Sequence, residues 1–313
     1  MRRLTGTLVM ALIAVSSVAA QPSAIVTDVR AAIKAGDFPQ ASRTIATARA
    51  ERGWTPELLE ALSWIGRGRL AAGEMEQAEA TSREVYELAT VMLKTRPLDQ
   101  DARLPIALGA AVEVLGQVQA QRGARTDALV FLQNELRKYQ RTSIAKRIQK
   151  NINLISLEGQ PAPALDLSEY LGPRPPALAS LKGKVVLLFF WAHWCADCKQ
   201  QAPILAALAD KYRARGLVVF APTQRFGYVA GGKTAPPDEE LRYIDQVRAQ
   251  YYPVLAGQPV PVTEANHLRY GVSSTPTLVL VDRGGVVRLY NPGRLPMEQL
   301  EPKVAALIAP ASD

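Results

Sequence analysis

The sequence predicts two domains of different class, an all-α domain built of helical hairpins followed by an α/β domain. Residues 25–157 are almost purely helical in character, because Ala, Leu, Glu, Gln and Arg dominate them. Beyond them, a proline-rich stretch that cannot continue a helix gives way to short apolar runs alternating with helical patterns. We therefore place a boundary near Leu157, with the all-α domain at 21–157 and the α/β domain at 158–313.

The composition is that of a globular protein and excludes wholesale disorder, since 48% of the residues are apolar and 21% are charged. A solvated, arginine-rich surface explains the net charge of +8, with an acidic partner or a membrane surface as the alternatives. No basic motif is interleaved with aromatic residues, so we predict no nucleic-acid partner.

Residues 1–20 have the pattern of a secretory signal peptide. Arg2 and Arg3 supply the positive start, residues 8–15 form an apolar run, and small residues precede a cleavage point before Gln21. The run is shorter than the roughly 18 apolar residues that span a bilayer. We therefore predict an exported, periplasmic or otherwise extracytoplasmic protein. An uncleaved membrane anchor is the alternative.

Three segments of the all-α region share one layout, in which Gly stands five residues before Ala. The pairs are Gly36 and Ala41, Gly73 and Ala78, and Gly123 and Ala128. Gly favours the positive-φ position that ends a helix, and the small Ala allows the next helix to pack closely. The layout resembles tetratricopeptide-type hairpins, although the spacings of 37 and 50 residues also fit an irregular bundle. The predicted role is either scaffold or holder of a protein partner.

A basic segment closes the all-α region. Residues 137–150 carry six cations and no acid, together with Ile144 and Ile148. This pattern predicts a solvated helix with one buried stripe, and a membrane-surface helix is the alternative.

In the α/β domain, continuous apolar runs predict buried strands. The predicted strands cover residues 185–191, 217–221, 277–282 and 286–290, the last two forming a hairpin. The predicted helices cover residues 198–215, 237–251 and 297–308. The long segment 222–237 is predicted to be a loop, either a functional loop over the site or a surface insertion.

Both cysteines of the chain, Cys195 and Cys198, lie in one C-x-x-C. A structural disulfide there would stabilise little, because the gain from closing a loop grows with loop length. A zinc site would need two more soft ligands, and the only histidines are His193 and His267, so we predict no metal. Redox chemistry is the remaining use. The motif begins a helix, whose N-terminus stabilises a thiolate on an exposed Cys195, while the more buried Cys198 can attack a mixed disulfide.

Residues 191–199 (WAHWCADCK) match the Trp-x-x-Trp-Cys-x-x-Cys-Lys signature of the thioredoxin superfamily. With residues 159–163 (GQPAP), 181–188 (LKGKVVLL) and 271–277 (GVSSTPT), they resemble exported TlpA/ResA-type thiol–disulfide reductases. The resemblance covers about residues 157–308 and implies a three-layer α/β fold of the thioredoxin type.

The resemblance also implies roles for single residues near the dithiol. Pro276 is expected to be cis and to stand beside the cysteines, so that the Thr275 backbone meets an extended substrate. Trp194 is the third residue expected to contact substrate. The neighbours that can tune the thiol pKa are His193, Asp197 and Lys199.

The chain departs from the family pattern at both customary proton acceptors. Phe189 stands where thioredoxins have a buried Asp, and Gln201 where the TlpA/ResA group often has Glu. Asp197, His193 or a water molecule is left to serve as the acceptor. Asp197 opposes a thiolate, whereas Lys199 and the helix end favour it. His267, beside Arg269, is predicted to be a helix-surface residue.

The predicted function is an exported reductase of protein disulfides that needs no cofactor. Its expected partners are substrate proteins with disulfides and an electron donor in the membrane or envelope. An oxidase or isomerase is the nearest alternative, because reduction potential alone separates the directions. A helical-repeat binding protein with a secondary redox module is the alternative from another class. Leu188 and Ala192 exclude the peroxiredoxin pattern Pro-x-x-x-Thr/Ser-x-x-Cys.

Overall fold

The structure is a computed structural model that describes residues 23–309. The signal peptide predicted for residues 1–20 lies outside the described residues. Among residues 23–309, no helix combines the length and apolar character needed to cross a membrane.

The N-terminal half is helical, as predicted. Its described α-helices are α1 (Ala24–Lys34), α2 (Phe38–Arg52), α3 (Pro56–Ala71), α4 (Met75–Met92), α5 (Leu104–Gln121), α6 (Arg125–Tyr139) and α7 (Ala145–Ser156). A 3-10 turn, Leu98–Gln100, precedes α5. Helices α1 and α2, α3 and α4, and α5 and α6 pack as hairpins.

The Gly and Ala positions act as predicted in each hairpin. The three glycines that follow α1, α3 and α5 have φ of 77°, 80° and 89°, in the left-handed region. The three paired alanines, Ala41, Ala78 and Ala128, are fully buried. Upstream, a Cβ on Gly116 would lie 2.8 Å from Leu132 Cδ2, so Gly at this position lets α5 and α6 approach closely.

The basic segment 137–150 is not one solvated helix. Helix α6 ends at Tyr139 and α7 begins at Ala145, so a turn divides the cations between two helices. On α7, Arg147 and Lys150 are mostly covered and both bind the buried carboxylate of Glu113 on α5. The predicted buried stripe is present, since Ile144 and Ile148 are buried. The prediction of a single solvated helix was wrong, because two of the cations pair with a residue more than thirty positions away, which the local pattern does not reveal.

The C-terminal half is an α/β domain with a mixed four-stranded sheet, in the order β3-β2-β5-β6. The strands are β1 (Tyr170–Leu171), β2 (Val185–Phe190), β3 (Leu217–Phe220), β4 (Val260–Pro261), β5 (Thr277–Val281) and β6 (Val287–Pro292). β2 pairs parallel with β3 and antiparallel with β5, whereas β1 and β4 form a separate short pair. The helices are α8 (Ala196–Tyr212), α9 (Pro237–Tyr251), α10 (Glu264–Arg269) and α11 (Met297–Ile308).

The two faces of the sheet are covered by different parts of the chain. On one face, odd-numbered residues of β2 such as Leu187 pack against α8, α9 and α11. On the other, even-numbered residues such as Leu188 pack with Tyr270, Val272 and Leu157. Helix α7 contacts both α10 and β6, so the last helix of the N-terminal half adjoins this second face.

Candidate active site

The two cysteines lie where β2 turns into α8. Cys195 is the N-cap of α8, with extended backbone (φ −75°, ψ 110°), and Cys198 lies in the first turn. The backbone N–H of Cys198 donates to Cys195 Sγ at 3.0 Å. The two sulfur atoms form a disulfide, with the Cα atoms 5.2 Å apart. The helix N-terminus is therefore directed at the sulfur of the first cysteine, which is the geometry that stabilises a thiolate.

The prediction of an exposed Cys195 is wrong in degree. Cys195 is 3% exposed and Cys198 is 0% exposed, so the order is as expected but both are buried. Chain segments that are distant in sequence cover the first sulfur, and the Thr275 carbonyl oxygen lies 3.4 Å from it. Trp194, in contrast, is 50% exposed and presents a large apolar surface immediately before Cys195.

The Thr275–Pro276 peptide bond is cis and lies beside the dithiol, as the resemblance implied. The Pro276 carbonyl accepts a hydrogen bond from Gly293 N–H at 2.8 Å, which ties the segment to the end of β6. Thr277 begins β5, so the sheet fixes the position of this segment relative to the cysteines.

Two uncharged residues occupy the positions where related proteins often carry an acid. Phe189 is fully buried and packs against Tyr252, with ring centroids 5.8 Å apart. Gln201 is also fully buried, and its amide makes two hydrogen bonds to the backbone of Leu295. Gln201 therefore fastens α8 to the segment before α11, and neither residue can accept a proton from Cys198.

The charged neighbours of the cysteines both have partners. Asp197 lies 3.6 Å from Arg294, and both side chains are largely exposed. The ammonium group of Lys199 stands over the ring of Tyr251, 4.1 Å from its centroid. Both contacts therefore lie on the solvent side of the site, where water weakens the fields of these charges.

His193 forms a buried pair with Glu240, a residue that the sequence analysis missed. Both side chains are 1% exposed, and His193 Nε2 lies 3.2 Å from Glu240 Oε1. Burial lowers the pKa of His193 below its ordinary 6.5, against the opposing effect of Glu240, so the ring is neutral at pH 7. We assign its proton to Nε2, because a carboxylate only accepts hydrogen bonds.

The segment 222–236, called the site loop below, is an ordered structure over the cysteine motif. The backbone N–H groups of Phe226 and Gly227 donate to the two oxygens of Glu240. Tyr228 and Thr234 then pair as a short antiparallel bridge. The ring of Phe226 stands edge-on to Trp194, with centroids 5.6 Å apart. Of the two interpretations of this segment, the structure therefore favours a loop over the site.

His267 is buried inside the domain, so its assignment to the helix surface was wrong. It lies on α10 with its ring edge-on to Phe190, at a centroid distance of 5.5 Å. Its ring faces backbone groups of Thr263 and Trp191, which partly offset the effect of burial on its pKa. Burial, with Lys146 nearby, lowers the pKa of His267 to about 3. The charge of Arg269 suggested that His267 is also exposed, but these two residues lie on different faces of α10.

Residues 23–309 contain no group of three His, Cys, Asp or Glu side chains placed to hold a metal ion.

Comparison with known proteins matches residues 157–308 to the Redoxin family. The chain is 28% identical over 147 residues to the thioredoxin-like protein YneN of Bacillus subtilis, covering 47% of this chain and 78% of that protein. It is 30% identical over 145 residues to the thiol-disulfide oxidoreductase ResA of Bacillus thuringiensis, covering 46% and 74%. A crystal structure of a putative thiol:disulfide interchange protein DsbE from Chlorobium tepidum aligns at 28% identity and a TM-score of 0.37, covering 49% of this chain and 98% of that one.

Proposed function

This chain belongs to the ResA-like family of thiol–disulfide oxidoreductases, and we propose that it reduces disulfides of other exported proteins through Cys195 and Cys198. The observation that carries the proposal is the position of Cys195 at the N-cap of α8, with the Cys198 N–H donating to its sulfur. A helix N-terminus lowers the pKa of a cysteine placed there, and the thiolate is the attacking species.

In the proposed reaction, the Cys195 thiolate attacks one sulfur of a substrate disulfide. The substrate S–S bond breaks, a mixed disulfide forms on Cys195, and the first substrate sulfur leaves as a thiolate. Cys198 then loses its proton to Asp197, His193 or a water molecule and attacks Cys195 Sγ, which releases the second substrate thiolate. The substrate gains two electrons and two protons, and the chain is left as the Cys195–Cys198 disulfide. A thiol donor in the membrane or envelope returns it to the dithiol.

The substrate-contacting residues we propose are Trp194, Thr275 and Pro276. Trp194 supplies exposed apolar surface, and the Thr275 backbone lies within contact distance of the nucleophile position. We assign the tuning of the dithiol to its charged or polar neighbours His193, Asp197 and Lys199. Export through the predicted signal peptide is part of the same proposal, as is a helical half that selects protein partners.

Single cysteine variants test which thiol attacks. Cys198→Ser retains the nucleophile but cannot resolve the mixed disulfide, so we expect it to accumulate covalent complexes with substrates, whereas Cys195→Ser does not. Equal trapping by both variants, or trapping by Cys195→Ser alone, contradicts the assignment.

The reduction potential tests the direction of the reaction. Equilibration of the purified protein with glutathione buffers is expected to give a value near that of reducing thioredoxins, about −270 mV. A value near about −120 mV, typical of a dithiol oxidant, would assign the opposite direction. The carboxylate of Asp197, between the cysteines, disfavours the thiolate and therefore the dithiol form, so it favours the reducing direction.

A further inference from the structure

The site loop takes no part in the thiol exchange proposed above, yet it contacts the residues immediately before Cys195. Phe226 stands edge-on both to Trp194, at 5.6 Å, and to His193, at 5.5 Å. Trp194 is half exposed, so one side of its ring is supported by the loop while the other is open to solvent. An open aromatic surface beside a reactive thiol fits an apolar side chain of a bound polypeptide.

Glu240 determines the position of this part of the loop. One carboxylate oxygen accepts from Phe226 N–H and from His193, and the other accepts from Gly227 N–H at 2.9 Å. A carboxylate at 1% exposure is costly unless its lone pairs are satisfied, and here both oxygens are. Glu240 is itself fixed in the first turn of α9. Helix α9 therefore fixes the position of the Glu240 carboxylate, and this carboxylate fixes the position of the site loop.

We infer that Glu240 is a positioning residue for protein substrates: by fixing Phe226 against Trp194, it completes an apolar wall that binds the residues flanking a substrate disulfide. The inference rests on the proposed reductase function and adds the substrate class. That class is an extended polypeptide with an apolar or aromatic side chain next to its cystine. A small disulfide such as oxidised glutathione carries no apolar side chain beside its cystine, so its reduction does not depend on the wall.

The experiment compares wild type with Glu240→Gln as full-length protein, with dithiothreitol as the electron donor that regenerates the dithiol, and with insulin and oxidised glutathione as substrates. The uncatalysed rate with dithiothreitol alone is subtracted. Gln has the size of Glu, but its NH₂ group must face one of the N–H donors, so the loop loses its fixed position. We expect KM for insulin to rise about tenfold, with kcat and the rate with oxidised glutathione within about twofold of wild type. Glu301→Gln is the control, because Glu301 on α11 pairs with Lys211 and Tyr212 at the C-terminal end of α8, and within residues 23–309 it makes no hydrogen bond or ion pair with the site loop.

Phe226→Ala removes the contact between Phe226 and Trp194 without changing Glu240. It is expected to raise KM for insulin similarly, and the double variant is expected to show no further rise, since both changes act through one contact. An unchanged KM for insulin in Phe226→Ala overturns the inference even where Glu240→Gln fails to fold. An equal loss with both substrates in a folded Glu240→Gln also overturns it. A wild-type protein that reduces neither substrate would instead refute the reductase proposal itself.

Discussion

Both halves of the chain contain buried glutamates, and two of them, Glu113 and Glu240, are held by different kinds of donor. In the helical half, Glu113 on α5 binds the cationic groups of Arg147 and Lys150 on α7. Burial alone would raise the pKa of Glu113, but the two cations outweigh burial and hold it at about 2. In the redox half, Glu240 is held by two backbone N–H groups and a neutral imidazole.

The difference follows from what each glutamate holds together. Glu113 joins two rigid helices, where opposite charges attract strongly once they are removed from water. Glu240 shapes a loop next to a dithiol, where a buried cation would stabilise thiolates and so shift the redox balance. Neutral donors fix the loop without adding such a charge. In the helical half, charged groups hold two helices together, whereas in the redox half the dipoles of neutral groups fix the position of the site loop.

Removing Glu113 is the strongest test of this contrast. We expect Glu113→Ala to lower the free energy of unfolding by about 3–5 kcal/mol, because it leaves two mostly buried cations without an anionic partner. Urea unfolding of the full chain measures the effect. Glu79→Ala is the control, since Glu79 pairs with Arg83 and Arg122 at more exposed positions and is expected to cost about 1 kcal/mol or less. Equal losses of unfolding free energy in Glu113→Ala and Glu79→Ala would contradict the special role of the buried charges around Glu113.

The border between the halves can be tested with two glycines. Gly271 (φ +61°) and Gly285 (φ +87°) both have left-handed backbone, so Ala is strained at either position. A Cβ at Gly271 would also lie 2.3 Å from the backbone nitrogen of Lys150 on α7, whereas one at Gly285 meets no atom within 4 Å among the described residues.

We therefore expect Gly271→Ala to lose about 1–3 kcal/mol more than Gly285→Ala, through forced separation of α7 from the redox domain. Thermal unfolding of both variants measures the difference. Equal losses would show that α7 moves aside freely, which would favour the predicted domain boundary near Leu157 as a true division.

We expect low pH to lower the stability of the redox half, because His267 is buried in its neutral form. The folded pKa of His267, about 3, is below its unfolded value of about 6.5, so the unfolded chain binds more protons between these values. This group's contribution to stability is complete above pH 6.5 and is lost as pH falls towards 3. Between pH 6.5 and 5, we expect wild type to lose about 1.5–2 kcal/mol more than His267→Leu. If the free energy of unfolding changes with pH equally in wild type and in His267→Leu, protonation of His267 in the folded state has no cost and the prediction is wrong.

The smallest effect is expected from the exposed pair beside the dithiol. Asp197→Asn removes an anion next to the thiolates and so raises the reduction potential, but Arg294 and solvent already weaken that charge. An exposed ion pair is worth under about 1 kcal/mol, so the shift should stay under about 20 mV. Glutathione equilibration measures it. A larger shift would indicate that exposed charges, rather than the N-terminus of α8, determine the reduction potential of the dithiol.

Much of the redox domain could be predicted because its signals are local. The apolar run before the cysteines predicted a buried strand, and the observed β2 covers six of its seven residues. Helices α9 and α11 have the predicted bounds. The motif around Thr275–Pro276 correctly predicted a cis bond close to the dithiol. In each case the residues that set the structure are neighbours in sequence.

The site loop could not be predicted in this way, because its determinants lie far apart in sequence. Glu240 follows two other acids at the start of α9, where a solvated negative charge is ordinary. Its partner His193 is 47 residues away, and nothing local connects the two. One signal was available: a histidine between two tryptophans, directly after a strand, is in a poor position to reach solvent. That signal indicated burial of His193 but named no partner.

Gln201 has a consequence for how this site can change over time. A single nucleotide separates its codon from one for Glu, the acid that the family resemblance implies at this position. The resulting carboxylate would face the carbonyl oxygen of Leu295, which now accepts a hydrogen bond from the amide, and two acceptors repel. The acid would have to hold a proton permanently or break the tie between α8 and the segment before α11. Introducing an acid at this position therefore changes the hydrogen bonding of the Leu295 backbone as well as the charge beside the dithiol.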